Sequence, residues 1–495
     1  MGMMKFLVPR RDHVAADAAA RAYFAGIDEV PWQTRIHFDG DHLVVQRAEF
    51  DSGNLHVPYA VEGHGELILS TASLMERPRP YHLQVELARG TINRLRNQLA
   101  AWESLGMKAP PNVREALAAA HGHFAVAATR QDDAQQAAER AESALAAALD
   151  GVDRLNEAYV TQALAARHTQ HAKLTTLWGV NLGSTVPDAT IGPRLVEAFN
   201  TVQVPLAWRA IEASEGQHDW SATDAQIDWA RAQGFKVCGG PLLSIDRGAL
   251  PDWMSLFGDD VDNFRSCVRE HIQAVVNRYR GKVHLWICSA RLNVENDFEH
   301  DEEERLRLAV LSIESIRNVD PRSPIVLSID QPWGAFMRSQ ECDLSPLHFA
   351  DALVRAELGL AGIGLEINVG YKPGGSESRD PLEFGRQLDR WSTLGLPLLV
   401  SLSAPSGEGP VAGNKHQAKV VPASPDRPWS PEMQRTWGET YLGVLLAKQA
   451  VQGMVWNQLL DGGSQSLPHA GLFDDQGQAK PLVELLADLR REHLA

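Results

Sequence analysis

The sequence predicts an α/β protein, with a C-terminal (β/α)8 (TIM) barrel behind a small N-terminal β module and a helical hairpin. Three observations predict it. Beyond Leu174, eight short apolar runs alternate with longer amphipathic stretches. Residues 1–80 contain paired strand-like runs around tight-turn signals, and residues 81–172 are helical in pattern, rich in Ala, Gln, Glu and Arg. The expected boundaries are therefore 1–80, 81–172 and 173–495.

In the first segment, "TRIHFDGDHLVVQR" reads as a hairpin because Asp39-Gly40 suits the positive backbone angles of a tight turn. "LHVPYAVEGHGELILS" repeats the pattern, so four to six strands are expected. In the second segment Leu145, Leu149, Val152, Leu155 and Tyr159 recur at spacings of three and four, which makes one apolar stripe. Pro110 and Pro111 separate two helical stretches, so a hairpin of long helices is the simplest arrangement. Its stripe is a packing or spacer surface first and a candidate for self-association second.

In the third segment the predicted strands are "LTTLWGVNLG", "TVQVPLAW", "KVCGGPLLSI", "VHLWICSA", "PIVLSID", "AGIGLEINV", "LPLLVSL" and "GMVWNQLL". Each is apolar nearly throughout, as strands buried on both faces are. Helical patterns such as "NFRSCVREHIQAVVNRYRG" lie between them. Eight such units match a closed parallel barrel.

Composition narrows the function classes. Lys and Arg total 47 against 63 Asp and Glu, a formal net charge of -16, which argues against nucleic acid or an anionic membrane surface as partner. No run reaches the roughly 18 apolar residues of a membrane helix. The start, "MGMMKFLVPRRDH", lacks the order of a signal peptide, so a cytoplasmic location is the expectation. Cys238, Cys267, Cys288 and Cys342 are spaced neither as metal ligands nor as a disulfide framework. The His121–His123 and His168–His171 pairs fall in helical stretches, and no glycine-rich phosphate loop leads into Lys-Ser or Lys-Thr, so neither a metal nor a cofactor is expected.

A barrel carries its working residues just after the carboxyl ends of its strands. Those positions hold Trp208 and Arg209, Asp246 and Arg247, then Arg291, Asn293 and Glu295. They continue with Asp330 and Trp333, with Glu366, Asn368 and Tyr371, and with Trp456, Asn457 and Asp461. Such a polar and aromatic face suits a sugar, whose hydroxyls accept and donate hydrogen bonds while its C–H faces stack on rings.

The barrel segment resembles the family 10 glycoside hydrolases, the endo-β-1,4-xylanases. The resemblance rests on ordered pieces: "FNTVQVPLAWRAIEASEGQHDWSATDAQIDWARAQGFKVCGG", "ALPDWM", "VVNRYRGKVHLWICSA", "AGIGLEI" and "SLPHAGLFDDQGQAKP". It implies a barrel acting on a poly- or oligosaccharide, with an acid/base carboxylate after strand four and a nucleophile after strand seven. Aligned on the family's "WDVVNE", this chain reads Trp286-Ile287-Cys288-Ser289-Ala290-Arg291, so the acid/base falls on Arg291. The nucleophile segment becomes Ser401-Leu402-Ser403-Ala404, with Leu402 at the reactive position. The strand-three histidine falls near Ile245, and the strand-two Asn-Glu pair falls at Val204-Pro205.

Three readings follow. In the first, a rewired hydrolase uses Glu366, which stands where the family has glutamine, paired with Glu295 or Asp461. In the second, a non-catalytic protein binds saccharide through Trp208, Asp246, Arg291, Asn293, Trp333, Asn368, Tyr371, Trp456 and Asp461. In the third, an interaction or scaffold protein works through its N-terminal parts and the long loop 404–431, where Lys415, His416 and Lys419 can close over an anionic ligand.

Overall fold

A computed structural model describes residues 2–48, 50–246, 248–257, 260–294, 301–340, 342–409, 418–423, 428–462 and 467–495. Each of the eight predicted runs overlaps one barrel strand: Leu177–Asn181, Thr201–Val204, Lys236–Gly239, Leu285–Ser289, Ile325–Asp330, Gly362–Asn368, Leu398–Ser403 and Val451–Trp456. They are parallel, follow chain order around the barrel and close with the eighth strand pairing the first.

Successive residues of a strand face opposite sides, and the packing shows which side is which. Trp178, Val202, Trp286, Leu327, Leu365, Val400, Leu402 and Met454 belong to the large core that includes the surrounding helices. Ile287, Val326, Leu399 and Val455 form a separate cluster inside the barrel. Gly453 makes room in that interior: a Cβ there would lie 2.3 Å from Leu399 Cδ1. Above the inner apolar layer, the inward positions turn polar toward the carboxyl ends of the strands.

The N-terminal module has two four-stranded sheets, more strands than expected. The predicted hairpin joins Thr34–Asp39 to His42–Arg47, with Gly40 at φ 54. Asn54–Val61 pairs antiparallel with Gly65–Ser70, as the repeated pattern implied. Tyr81 and His82 pair with Phe6 and Leu7, so the sheet extends just past residue 80.

The helical segment is three helices, Leu83–Ser104, Pro111–Thr129 and Ala134–Gln170, where a two-helix hairpin was expected. Pro111 occupies the first turn of the second helix, and the Asp133 side chain accepts from Gln136 N–H to start the third. That aspartate cap lies inside an Ala-rich run and is easily read through as helix. Leu145, Leu149, Val152 and Leu155 share one core with the sheets, and Tyr159 stacks on Trp102 at 4.2 Å. The stripe considered for self-association is thus used inside the chain.

This N-terminal unit is fastened to the barrel on the side of its sixth and seventh loops. Strand Gly65–Ser70 donates from Glu66 and Ile68 N–H to the carbonyls of Ala423 and Ser378, which covers an otherwise open sheet edge. Buried Glu383 is surrounded by Arg94 at 3.3 Å, Arg386 at 2.9 Å and Arg379 at 3.6 Å. Although burial opposes ionisation, those guanidinium groups hold the Glu383 carboxyl well below the usual carboxylate range.

Candidate functional site at the barrel mouth

Strands four, five and six end around a cavity of about 770 Å³ whose lining includes Arg291, Asp330, Glu366, Asn368, Tyr371 and Arg338. Arg291 leaves strand four with φ 63, a left-handed conformation that costs a non-glycine residue on the order of 1–3 kcal/mol. Its guanidinium sits between Asp330, at 3.1 Å from Nε, and Asp246, at 3.4 Å from Nη1. Burial disfavours the charge, but Asp330, Asp246 and Glu366 outweigh it and hold the guanidinium protonated.

Asp330 and Glu366 are direct partners in the ladder between strands five and six, so their backbones lie about 4.8 Å apart. Asp330 is 2% exposed. Burial first, and the Glu366 charge second, push its carboxyl up to about 7, against the opposing pull of Arg291 and of Gln331 N–H. Its carboxyl is thereby held toward the protonated form.

Glu366 is held by amides. Its Oε1 accepts from Asn368 Nδ2 at 2.8 Å and from Asn457 Nδ2 at 3.2 Å. Ser403 Oγ donates to Asn368 Oδ1 at 2.6 Å, and Asn181 Nδ2 donates to Asn457 Oδ1 at 3.4 Å. One polar network thus runs across the tips of strands six, seven, eight and one.

The structure brings Asp246, Arg291, Glu366, Asn368 and Tyr371 to the mouth and takes other predicted site residues away from it. Leu402 faces the helices with Val400, so the inward side chains of strand seven are Leu399, Ser401 and Ser403. A one-residue offset in a strand reverses the face presented, which corrects the assignment of Leu402 to a reactive position. Asp461 accepts from Gly471 N–H at 2.7 Å and pairs with Lys480, so it is engaged locally and is no partner for Glu366. Asn293 exchanges hydrogen bonds with the backbone of Asp330 at 2.8 and 2.9 Å; it fastens the loop after strand four rather than facing a ligand.

The tryptophans are core residues. Trp208 is 3% exposed, stacks on His271 at 4.5 Å and donates to Glu212 at 2.8 Å. Trp456 is fully buried and donates to the carbonyl of Ala470, while Trp333 packs edge-on against Phe384. None of the three lines the mouth cavity. Tyr371 does, and its buried hydroxyl has no hydrogen-bond partner among the described residues. Glu295, Arg247, Lys415 and His416 lie outside the described residues.

Sequence reasoning missed Asp330 as the partner of Arg291. The available signal was that "SID" and "GLE" lie in neighbouring strands, where they pair residue for residue. The thiols of Cys238 and Cys288 are buried and pushed up to about 12, which makes them poor nucleophiles. Among the described residues no group of three or more His, Cys, Asp or Glu is arranged to hold a metal ion.

Residues 195–307 match the family model described as Glycosyl hydrolase family 10. An endo-1,4-beta-xylanase of Agaricus bisporus is 21% identical over 286 residues, which cover 57% of this chain and 77% of that protein. Endo-1,4-beta-xylanase 3 of Hypocrea jecorina is 24% identical over 132 residues, 26% of this chain; the match spans only 37% of the relative's length. The crystal structure of native xylanase 10B from Thermotoga maritima superposes with a TM-score of 0.49 at 15% identity, covering 67% of this chain and 97% of that one.

Proposed function

We propose that this chain, whose barrel has the glycoside hydrolase family 10 fold, is a carbohydrate-active protein that holds a β-linked, xylan-like saccharide at the barrel mouth without the family's double displacement. The observation that carries this reading is the position of Arg291 at the tip of strand four, clamped between Asp330 and Asp246. A guanidinium releases no proton near neutral pH and cannot act as the acid that protonates a leaving sugar. The inward tip of strand seven offers Ser401, the ladder partner of Glu366, and Ser403, whose hydroxyl donates to Asn368 Oδ1, where the resemblance places a carboxylate nucleophile. Asn368, Asn457 and Tyr371 remain to meet sugar hydroxyls.

The test is to incubate the purified full chain with xylan, xylo-oligosaccharides and other β-glycans while following both melting temperature and reducing ends. A rise in melting temperature without new reducing ends is the expected result. Sustained release of reducing ends, abolished in neither Glu366→Gln nor Asp330→Asn, would overturn it.

One observation favours a second reading. Asp330, with its carboxyl pushed up to about 7, stands beside Glu366 on the neighbouring strand. Such a pair is suited to rewired cleavage. Asp330 would give its proton to the glycosidic oxygen as the C–O bond breaks while Glu366 bonds to the anomeric carbon, and water would then cleave that glycosyl ester, the course that suits carboxyls standing side by side. Under this reading Glu366→Gln and Asp330→Asn each lose at least about a hundredfold in rate.

A further inference from the structure

We propose that the mouth selects an anionic saccharide, one carrying a carboxylate or a sulfate ester, through a cationic rim made by Arg338, Lys372 and Lys419. The proposal rests on the binding reading above and specifies its ligand. All three residues line the same 770 Å³ cavity as Arg291 and Glu366. Arg338 ends the short 3-10 helix after strand five, and the two lysines sit on a ribbon formed by the segments after strands six and seven.

The rim concentrates positive charge against the trend of a chain with a formal charge of -16. Lys372 and Lys419 are direct cross-strand partners in the two-residue ladder Tyr371–Lys372 with Lys419–Val420. Like charges placed opposite each other destabilise a ladder. Asp17 of the N-terminal module meets Lys372 Nζ at 2.6 Å, which offsets that lysine alone. Lys419 is exposed and has no acidic partner within ion-pair distance among the described residues.

Arg338 is likewise uncompensated. Its Nε and Nη1 donate to the carbonyls of Ala20 and Ala335, at 2.9 and 2.6 Å, and no carboxylate pairs with it among the described residues. Burial pushes its guanidinium down despite the nearby Glu377. That glutamate is already committed, since Arg21 donates to both of its oxygens at 3.0 and 2.5 Å. Two acids of the cavity wall are paired with cations, Glu377 with Arg21 and Asp330 with Arg291, while Glu366 accepts from two amides at Oε1. Apart from Glu366, the charged groups left to meet a ligand at the rim are cationic. Tyr371 lines the same cavity, and its buried hydroxyl has no hydrogen-bond partner among the described residues.

The experiment compares three probes by calorimetry on the full chain: a neutral xylo-oligosaccharide, the same oligosaccharide with a uronic acid branch, and the same with a sulfate ester. The wild type is expected to bind at least one acidic probe about tenfold more tightly than the neutral parent at low salt, as one charge-assisted hydrogen bond supplies. The gap should shrink as salt rises. Lys419→Gln changes an exposed side chain and should narrow the acid-to-neutral ratio at least about threefold; Arg338→Gln should do the same, with Arg338→Lys restoring part of it. Equal affinity for neutral and acidic probes would overturn this inference and leave the binding reading intact. Binding of none of the three would overturn both. A response to inorganic sulfate equal to that of the sulfated sugar would also overturn it, because the rim would then be an ion site with no part in saccharide recognition.

Discussion

Arg291 Nε lies 3.1 Å from Asp330 Oδ2, an ion pair that joins the tip of strand four to the tip of strand five inside the barrel mouth. Asp330 is almost fully buried beside Glu366, so the arginine is the cation that lets both acids stand there. Removing it in Arg291→Met leaves two neighbouring carboxyls without it. Breaking a buried pair costs roughly 3–5 kcal/mol, but Arg291 is partly exposed and Asp330 can take up a proton, so about 2 kcal/mol is expected at pH 8 and less at pH 5. Urea unfolding of wild type and variant at the two pH values reads the difference.

Asp330 itself predicts a pH dependence. Its folded carboxyl is raised to about 7 from an ordinary 3.8, so between those values the folded state binds more protons than the unfolded one. Stability from this group is therefore present at low pH and is lost as pH rises from about 4 to about 7, by about 1.4 kcal/mol for each tenfold change in proton affinity. Asp330→Asn should flatten that slope in a series of thermal melts from pH 4 to 8. An unchanged slope would place the carboxyl's proton affinity near its ordinary value.

His271 predicts the opposite slope. Its ring is buried against Trp208, and burial followed by repulsion from His218 lowers its pKa to about 3. The unfolded histidine takes up a proton below about 6.5 while the folded one does not, so stability is lost as pH falls from 6.5 toward 3. His271→Phe keeps a ring stacked on Trp208 and should remove much of the acid sensitivity, as acid-induced loss of tryptophan signal would show.

Trp208 and Tyr371 should separate packing from recognition. Trp208→Ala opens a cavity in the core and is expected to cost about 3–5 kcal/mol of stability. Tyr371→Phe removes a buried hydroxyl that has no partner among the described residues, so stability should hold or rise by about 1 kcal/mol. Saccharide affinity should fall severalfold in that variant, measured by the same calorimetry. A drop in stability with unchanged affinity would mean that the hydroxyl serves the fold.

The barrel was legible because each strand is a short apolar run closed by polar residues, and because the runs recur with helices between them. Arg291 was legible for the same reason: a charged residue that ends such a run can only stand at the mouth. Strand seven shows the limit. The alternation of serine and leucine in "LPLLVSLSA" has two readings one residue apart, and only the packing of Leu402 with the helices selected the one that turns Ser401 and Ser403 inward. The tryptophans show another limit, since a ring that stacks on sugar and a ring that fills a core have the same place in the chain.

From residue order alone came the eight strands, the N-terminal sheets, the helical character of the middle segment and the arginine at the tip of strand four; these depend on local periodicity, which neighbouring residues carry. The companions of that arginine, the amide cradle of Glu366 and the lysine pair facing across a ribbon depended on tertiary structure. Each joins side chains from different strands, and the distance and burial that set their charges exist only once the barrel has closed.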